Sequence, residues 1–419
     1  MKTGSKSVLC LLCLLYSLPS YGQRVLSDPK FKAAEDFVVK DHDRFVRELI
    51  QITEVPAPPF KEEKRARVFA DHLKQSGLTD VQTDSEGNVI GLRKGTGNGP
   101  MIAIAAHLDT VFPEGTNVKV RREGTRLFAP GVGDDTRALA VLLEIVRAMD
   151  AARIQTASDI LFIGNVGEEG EGDLRGMKYL FQKGPYKDKI KMFVSLDPFG
   201  TGNDVTIGGV GSKRFRVVFR GPGGHSFGSF GLVNPAYALG NAIAKLSKMQ
   251  VPSNPKTTFN VGVIGGGTSV NSIPFESWMD VDIRSEQREE LNKTIDTFSR
   301  LMREAADEEN HARSTSQGRV EVEVKLIGDR PFGQVAMNSS IVQTASAVIQ
   351  AFGLNPTFGT SSTDSNVPMS MGIPAITLES GGNGGRNHTL DEWIDVDKGQ
   401  SVRGIEIAMG ILVSLAGAN

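Results

Sequence analysis

Four short stretches of this chain carry acids and imidazoles of the kind that bind divalent cations: AAHLDTV (105–111), GVGDDT (131–136), NVGEEGEGD (165–173) and VSLDP (194–198). A fifth, GGRNHTLDEW (384–393), adds a late histidine. His107 and Asp109 stand two apart at the end of an apolar run, so on a strand they share a face. The imidazole can ligate a metal through a neutral nitrogen, and Asp109 can hold the other ring N–H. Asp134 and Asp135 precede a helical pattern, where an aspartate caps well, but a carboxylate with two oxygens can also bridge two cations. Glu168 and Glu169 close another apolar run. Adjacent side chains diverge, so one can ligate metal while the other activates water, the division that metal-assisted hydrolysis requires.

Each fragment alone has a plainer reading. H-x-D suits a structural pair, DD suits a helix cap, and EEGEGD suits a solvated acidic loop. Together they supply ligands for two cations that would share Asp134. His107, Asp134 and Asp197 would hold one, and Asp134, Glu169 and His388 the other, each with a position open for water. Nitrogen and oxygen ligation without thiolate suits Zn²⁺, with Co²⁺ or Mn²⁺ as alternatives. His42, His72 and His311 lie on charged helical stretches and read as solvated.

These residues need a frame. Residues 41–52 and 60–75 read as amphipathic helices split by EVPAPP, and residues 81–91 as a hairpin. Apolar strands at 101–106, 160–166 and 191–196 alternate with helices at 136–149 and 174–182. That order predicts an α/β protein whose mostly parallel sheet is sandwiched by helices, with ligand sites at the carboxyl ends of strands. After residue 211 the pattern changes. Strands at 214–220, 257–264, 278–283 and 320–327 enclose helices at 235–249 and 286–308. This β-α-β-β-α-β order is the ferredoxin-like split motif. A helix at 340–352, a strand at 374–378 and a helix at 398–415 return to the first pattern. The predicted boundaries are residues 23–212 and 330–419 for the two parts of one domain, and 213–329 for the α+β insertion.

Composition bounds the rest. With 47 basic and 49 acidic side chains in 419 residues the net charge is −2, and no basic block appears, so nucleic-acid binding has no electrostatic support. Lys2 and Lys6 precede an apolar run at 8–18 and a small-residue segment, which reads as a signal peptide of residues 1–22 and predicts export to a periplasm or the medium. Both cysteines, Cys10 and Cys13, fall inside it, so the mature chain would have no thiol chemistry. No other membrane segment is visible.

The ordered set AAHLDTV, GDD, EEG, LDP and NHTLDE resembles the family of co-catalytic metallopeptidases that includes peptidase T, carboxypeptidase G and succinyl-diaminopimelate desuccinylase. The resemblance runs from about residue 35 to the C-terminus. It implies His107, Asp134, Glu169, Asp197 and His388 as metal ligands, Asp109 as the orienting acid and Glu168 as the base. The insertion would be the family's lid, which usually dimerises. Within it, GPGGHSFG carries His225, which by resemblance steadies the oxyanion, often in the partner's site. SVNSIP carries Asn271, a substrate contact, and Arg284 in DIRS could hold a substrate carboxylate as a fork. Three positions depart from the family pattern: Thr136 and Arg137 replace the lysine and glycine of many relatives, and Asp197 replaces a frequent Glu, which favours the aminopeptidase branch. The expectation is a secreted, metal-dependent peptidase of small peptides, working by a metal-bridging hydroxide, with an N-acyl-amino-acid deacylase or carboxypeptidase as the nearest alternative. A non-catalytic metal- or peptide-binding protein is a further alternative, but it would have no use for a free Glu168 beside a ligand.

Overall fold

The structure, a computed structural model, describes residues 25–418. The segment expected to be a signal peptide, with Cys10 and Cys13, lies outside the described residues. At the centre are four apolar strands: Ile160–Asn165, Met101–His107, Ile190–Leu196 and Ala375–Leu378, hydrogen-bonded in that order and all parallel. Ile160–Asn165 and Ala375–Leu378 are buried throughout and the other two nearly so, which is why they are near-continuous hydrophobic runs without alternation.

The flanks differ from the expected mostly parallel sheet. Val89–Arg93 runs antiparallel to Ile160–Asn165, with Thr79–Thr83 antiparallel beyond it. On the other side Asp204–Gly209 is antiparallel to Ala375–Leu378. The first flank is a hairpin, and a hairpin must reverse direction. Its turn is built by Asp84, whose Oδ1 accepts the N–H groups of Glu86, Gly87 and Asn88.

Helix Thr136–Ala151 packs against the central Met101–His107 strand and is buried from Thr136 to Met149. Helix Pro29–Thr53 lies over it and also meets the terminal helix Lys398–Leu415. This corrects one expectation: His42 is buried, not solvated, with its ring 5.9 Å from that of Phe45. It sits on the apolar stripe of Phe31, Ala34, Val38, Phe45 and Leu49, a helical periodicity that the surrounding charges obscured. His72 is half-buried, with Nδ1 3.9 Å from Glu48, and His311 is exposed. Among the described residues no helix is long and apolar enough to cross a membrane.

The inserted unit has its own sheet, ordered Thr257–Gly266, Glu276–Ser285, Gly211–Arg220, Glu321–Arg330, with every neighbouring pair antiparallel. Helices Pro235–Leu246 and Arg288–Ala312 pack on it over a separate core that includes Val217, Phe219, Met279, Val281, Phe298 and Met302. This is the strand order of the ferredoxin-like split motif. Strict alternation along Glu276–Ser285 buries Met279, Val281 and Ile283. Asp282 and Arg284 therefore point to the face away from the helices.

A small third sheet was not legible in the sequence. Arg121–Glu123, Arg126–Phe128, Trp393–Asp395 and Asn383–Gly385 pair antiparallel. Its strands have three residues each, too short to show a period.

Candidate active site

His107 and Asn165 are register partners at the carboxyl ends of their strands, and Asp197 follows Leu196 on the next strand. The loops that leave these ends therefore converge. Asp134 arrives on the GVGDD loop ahead of helix Thr136–Ala151. That loop needs its glycines: Gly131 has φ +76°, and a Cβ on Gly133 would lie 2.8 Å from the Phe199 ring. His388 arrives from the C-terminal loop, itself in a left-handed conformation at φ 63°.

The two oxygens of Asp134 face two different imidazoles. Oδ1 is 3.0 Å from His107 Nε2, and Oδ2 is 3.2 Å from His388 Nε2. His388 Nε2 also lies 2.8 Å from Glu169 Oε1. His107 Nδ1 is 3.0 Å from the backbone oxygen of Asp109 and 3.8 Å from its carboxylate. The ring is thus oriented by the Asp109 carbonyl rather than by its carboxylate, as the sequence suggested. That carboxylate is engaged elsewhere: Oδ1 and Oδ2 accept the backbone N–H groups of Glu168 and Glu169 at 3.1 and 2.7 Å.

Glu168 is buried, and its Oε1 accepts a hydrogen bond from Arg330 Nη1 at 2.8 Å. Arg330 Nη2 also donates to the Glu168 backbone oxygen. Burial pushes the Glu168 carboxyl up to about 7 in spite of that guanidinium. Asp197 is raised well above the carboxylate range by burial and by the Asp134 charge, and Asp135 by burial. Burial raises Asp364 to about 6, although Asn165 donates to it at 2.7 Å. Asp134 goes the other way: burial opposes its charge, yet the bonds to His107 and His388 hold it below the usual range. Its hydrogen bonds to Asp134 and Glu169 lift His388 to about 10. Burial opposes charging His107, but the Asp134 hydrogen bond and the carboxylates of Asp135 and Asp109 raise it well above the ordinary imidazole.

So many crowded carboxylates with so few fixed cations call for positive charge. Nitrogen and oxygen atoms of His107, Asp134 and Glu169 all lie within 4.8 Å of one another, a set able to hold a metal ion. Two ligands each 2.0–2.1 Å from a tetrahedral Zn²⁺ stand roughly 3.3 Å apart. The observed nitrogen–oxygen separations need open by only a few tenths of an ångström, roughly, to reach that figure. The donor set therefore fits divalent metal.

A cleft of about 420 Å³ opens over these groups, lined by Asp134, Glu168, Glu169, Asp197, His388 and the Gly359–Thr363 segment. The insertion contributes Arg214, Arg284 and Arg330 to its wall. Asp282 holds the first two: Oδ2 accepts from Arg284 Nε at 2.6 Å, and Oδ1 from Arg214 Nε at 3.4 Å. Among the described residues, His225 and Asn271 do not line this cleft. They sit together on the insertion, where Gly224–His225 pairs with Ser272–Ile273 and Ser226 N–H donates to the Asn271 oxygen. His225 Nδ1 accepts the Phe227 and Gly228 N–H groups, both at 3.2 Å.

Sequence reasoning missed Arg330, Arg214, Asp364 and Glu392. Arg330 had a signal, since it directly precedes Pro331 where the insertion ends. Glu392 lies four residues after His388 in the quoted motif, but nothing in the sequence says that its carboxylate turns inward.

Comparison with known proteins matches residues 103–414 to the peptidase family M20/M25/M40. The Bacillus subtilis (strain 168) protein YqjE, described as uncharacterized, is 25% identical over 397 residues, which is 89% of this chain and 98% of that one. The solved structure of aminopeptidase PepT from Bacillus cereus superposes with a TM-score of 0.69 at 24% identity, covering 90% of this chain and 99% of that one. The Bacillus subtilis YXEP protein, described as a dinuclear metal binding peptidase, superposes with a TM-score of 0.63 at 18% identity over 90% of this chain and 99% of that one. The family match spans every residue of this cluster from His107 to His388, and this chain belongs to peptidase family M20/M25/M40 and is a metallopeptidase.

Proposed function

We propose that this metallopeptidase hydrolyses amide bonds of small peptides, as a di- or tripeptidase or an aminopeptidase, using two divalent cations with Zn²⁺ the first choice. His107, Asp134 and Asp197 would hold one ion, and Asp134, Glu169 and His388 the other. The observation that carries this reading is Asp134 presenting one oxygen to each of two imidazoles, the disposition of a shared ligand. When bound, such ions lower the pKa of water and polarise a carbonyl. Glu168 does the proton work: it is buried beside Glu169 and poised near neutrality by its surroundings, so it can accept a proton and return it to the leaving amine. Asp109 holds the Glu168–Glu169 backbone in place. Aminopeptidase PepT and YXEP, as solved structures of the same fold, are consistent with this reading.

A second reading has its own support. Arg214 and Arg284 face the cleft from the insertion and would favour a substrate with a carboxylate beyond the scissile amide, as for a carboxypeptidase or an N-acyl-amino-acid deacylase. The apolar leader sequence supports export. The insertion leaves Val263 and Ile264 exposed on its edge strand Thr257–Gly266, which supports a homodimer built through it, with His225 serving the partner's cleft. Metal analysis of purified protein, with product identification on di- and tripeptides beside N-acyl amino acids, decides between the readings. No metal uptake and no amide cleavage would refute both.

A further inference from the structure

The buried carboxylate of Glu392 accepts three backbone N–H groups of the GVGDD loop, yet it is not among the residues that line the cleft. Its Oε2 accepts the Gly131 N–H at 2.9 Å, and its Oε1 accepts those of Gly133 and Asp134 at 2.7 and 2.9 Å. Its backbone oxygen accepts the Ala129 N–H at 3.1 Å. The residue is 0% exposed. One side chain therefore takes three N–H groups of the GVGDD loop, including that of Asp134.

Glu392 also belongs to the loop of His388. Two turns link them: Thr389 N–H donates to the Arg386 oxygen, and Glu392 N–H donates to the Thr389 oxygen. Immediately after Glu392 the chain enters Trp393–Asp395, which pairs with Arg126–Phe128 just before the GVGDD loop. The small sheet thus brings the two loops side by side, and Glu392 closes the gap between them. The approach is tight: a Cβ on Gly133 would come within 3.3 Å of Glu392 Oε1.

We propose that Glu392 is a positioning residue that sets the separation of Asp134 and His388, and so controls affinity for the ion on the His388 side. This rests on the dinuclear reading above. Among the described residues Asp134 has no other tie of this kind: its carboxylate oxygens go to the two imidazoles, with a 3.5 Å contact to Asn387 Nδ2. Without that anchor the loop loses acceptors for its N–H groups, and the segment that carries His388 is no longer held against it. Groups that orient a ligand in this way typically contribute about 10–100-fold to metal affinity.

The test is Glu392→Gln in the full chain. The amide keeps the volume but presents N–H to at least one of the three donors. Zn²⁺ affinity is measured by chelator competition, and metal per chain by elemental analysis after dialysis. The expected result is weakening of one of two ions by about 10–100-fold, with the other retained. The kcat should return on adding Zn²⁺, and KM at saturating Zn²⁺ should be unchanged. Glu392→Asp keeps the charge on a shorter arm and should weaken the same ion less, so the proposal stays testable if the Gln variant misfolds. Two ions held as tightly as in the wild type by either folded variant would overturn it, as would equal weakening of both ions. A wild-type protein that binds fewer than two ions would instead overturn the dinuclear reading.

Discussion

The Asp109 carboxylate accepts the Glu169 backbone N–H at 2.7 Å while its other oxygen takes that of Glu168 at 3.1 Å. An acid two residues from one expected metal ligand thus holds the backbone of another, along with that of the expected base. Asp109 is fully buried, so both bonds are sheltered from water and each is charge-assisted. Asp109→Asn keeps the shape but can accept only one of the two donors. It should lower stability by about 1–3 kcal/mol and lower kcat more than it raises KM, because the Glu168–Glu169 turn loosens. Thermal unfolding at fixed Zn²⁺ beside steady-state kinetics checks this. An unchanged kcat would mean that the turn holds itself.

Glu168→Gln separates base from ligand. The amide can still accept from Arg330 but cannot take a proton. Turnover should fall by roughly 10²–10⁴-fold with metal content unchanged by elemental analysis. Loss of an ion would reassign Glu168 to the metal.

Asp134 and His388 should behave differently on metal removal. Asp134 faces both imidazoles, so Asp134→Asn should strip or weaken both ions. His388→Ala should affect one, because only the cluster of Asp134 and Glu169 loses a nitrogen. Metal per chain after dialysis against a weak chelator reads the difference directly. Equal losses from the two variants would rule out a shared Asp134.

Arg284 tests the direction of the substrate. Its Nε is spent on Asp282, which leaves the remaining guanidinium N–H groups for the cleft. Arg284→Met should raise KM for substrates ending in a free carboxylate, by about tenfold or more for a charge-assisted bond of about 1.5–3 kcal/mol. It should leave KM for their C-terminal amides nearly unchanged. An equal change for both would remove the carboxylate from that role.

How much of this was open to the sequence depends on range. The central strands and helix Thr136–Ala151 were readable because burial on all sides leaves an unmistakable apolar run. The terminal helix matched residue for residue at 398–415, since Asp397 caps it with its side chain on Gly399 and Gln400. The acids and imidazoles could be named because strand ends concentrate them. Their partners could not: Arg330 reaches Glu168 across 162 positions, and Glu392 reaches the GVGDD loop across some 258–261. Such pairings are set by how sheets stack, and no local period reports them. His42 failed for a related reason, because its helix is covered on a side that its charged neighbours concealed.

A last prediction concerns stability away from the cleft. The Arg147 guanidinium is shared by three carboxylates, at 3.3 Å from Asp41, 2.8 Å from Glu48 and 2.6 Å from Glu144. Glu144 is fully buried on helix Thr136–Ala151, and burial pushes its carboxyl up to about 7 despite Arg147. The ordinary value is 4.5. Because the folded protein holds this proton more tightly than the unfolded chain, the contribution of Glu144 to stability is fully present below about pH 4.5. It is lost as pH rises to about 7 and is constant above that. Glu144→Gln removes this titration. The variant should therefore gain on the wild type steadily between pH 4.5 and 7, by an amount on the order of a few kcal/mol, and keep a constant offset above. Denaturant unfolding of both proteins at matched Zn²⁺ across that window measures the difference. A difference independent of pH would show that Arg147 keeps Glu144 ionised throughout.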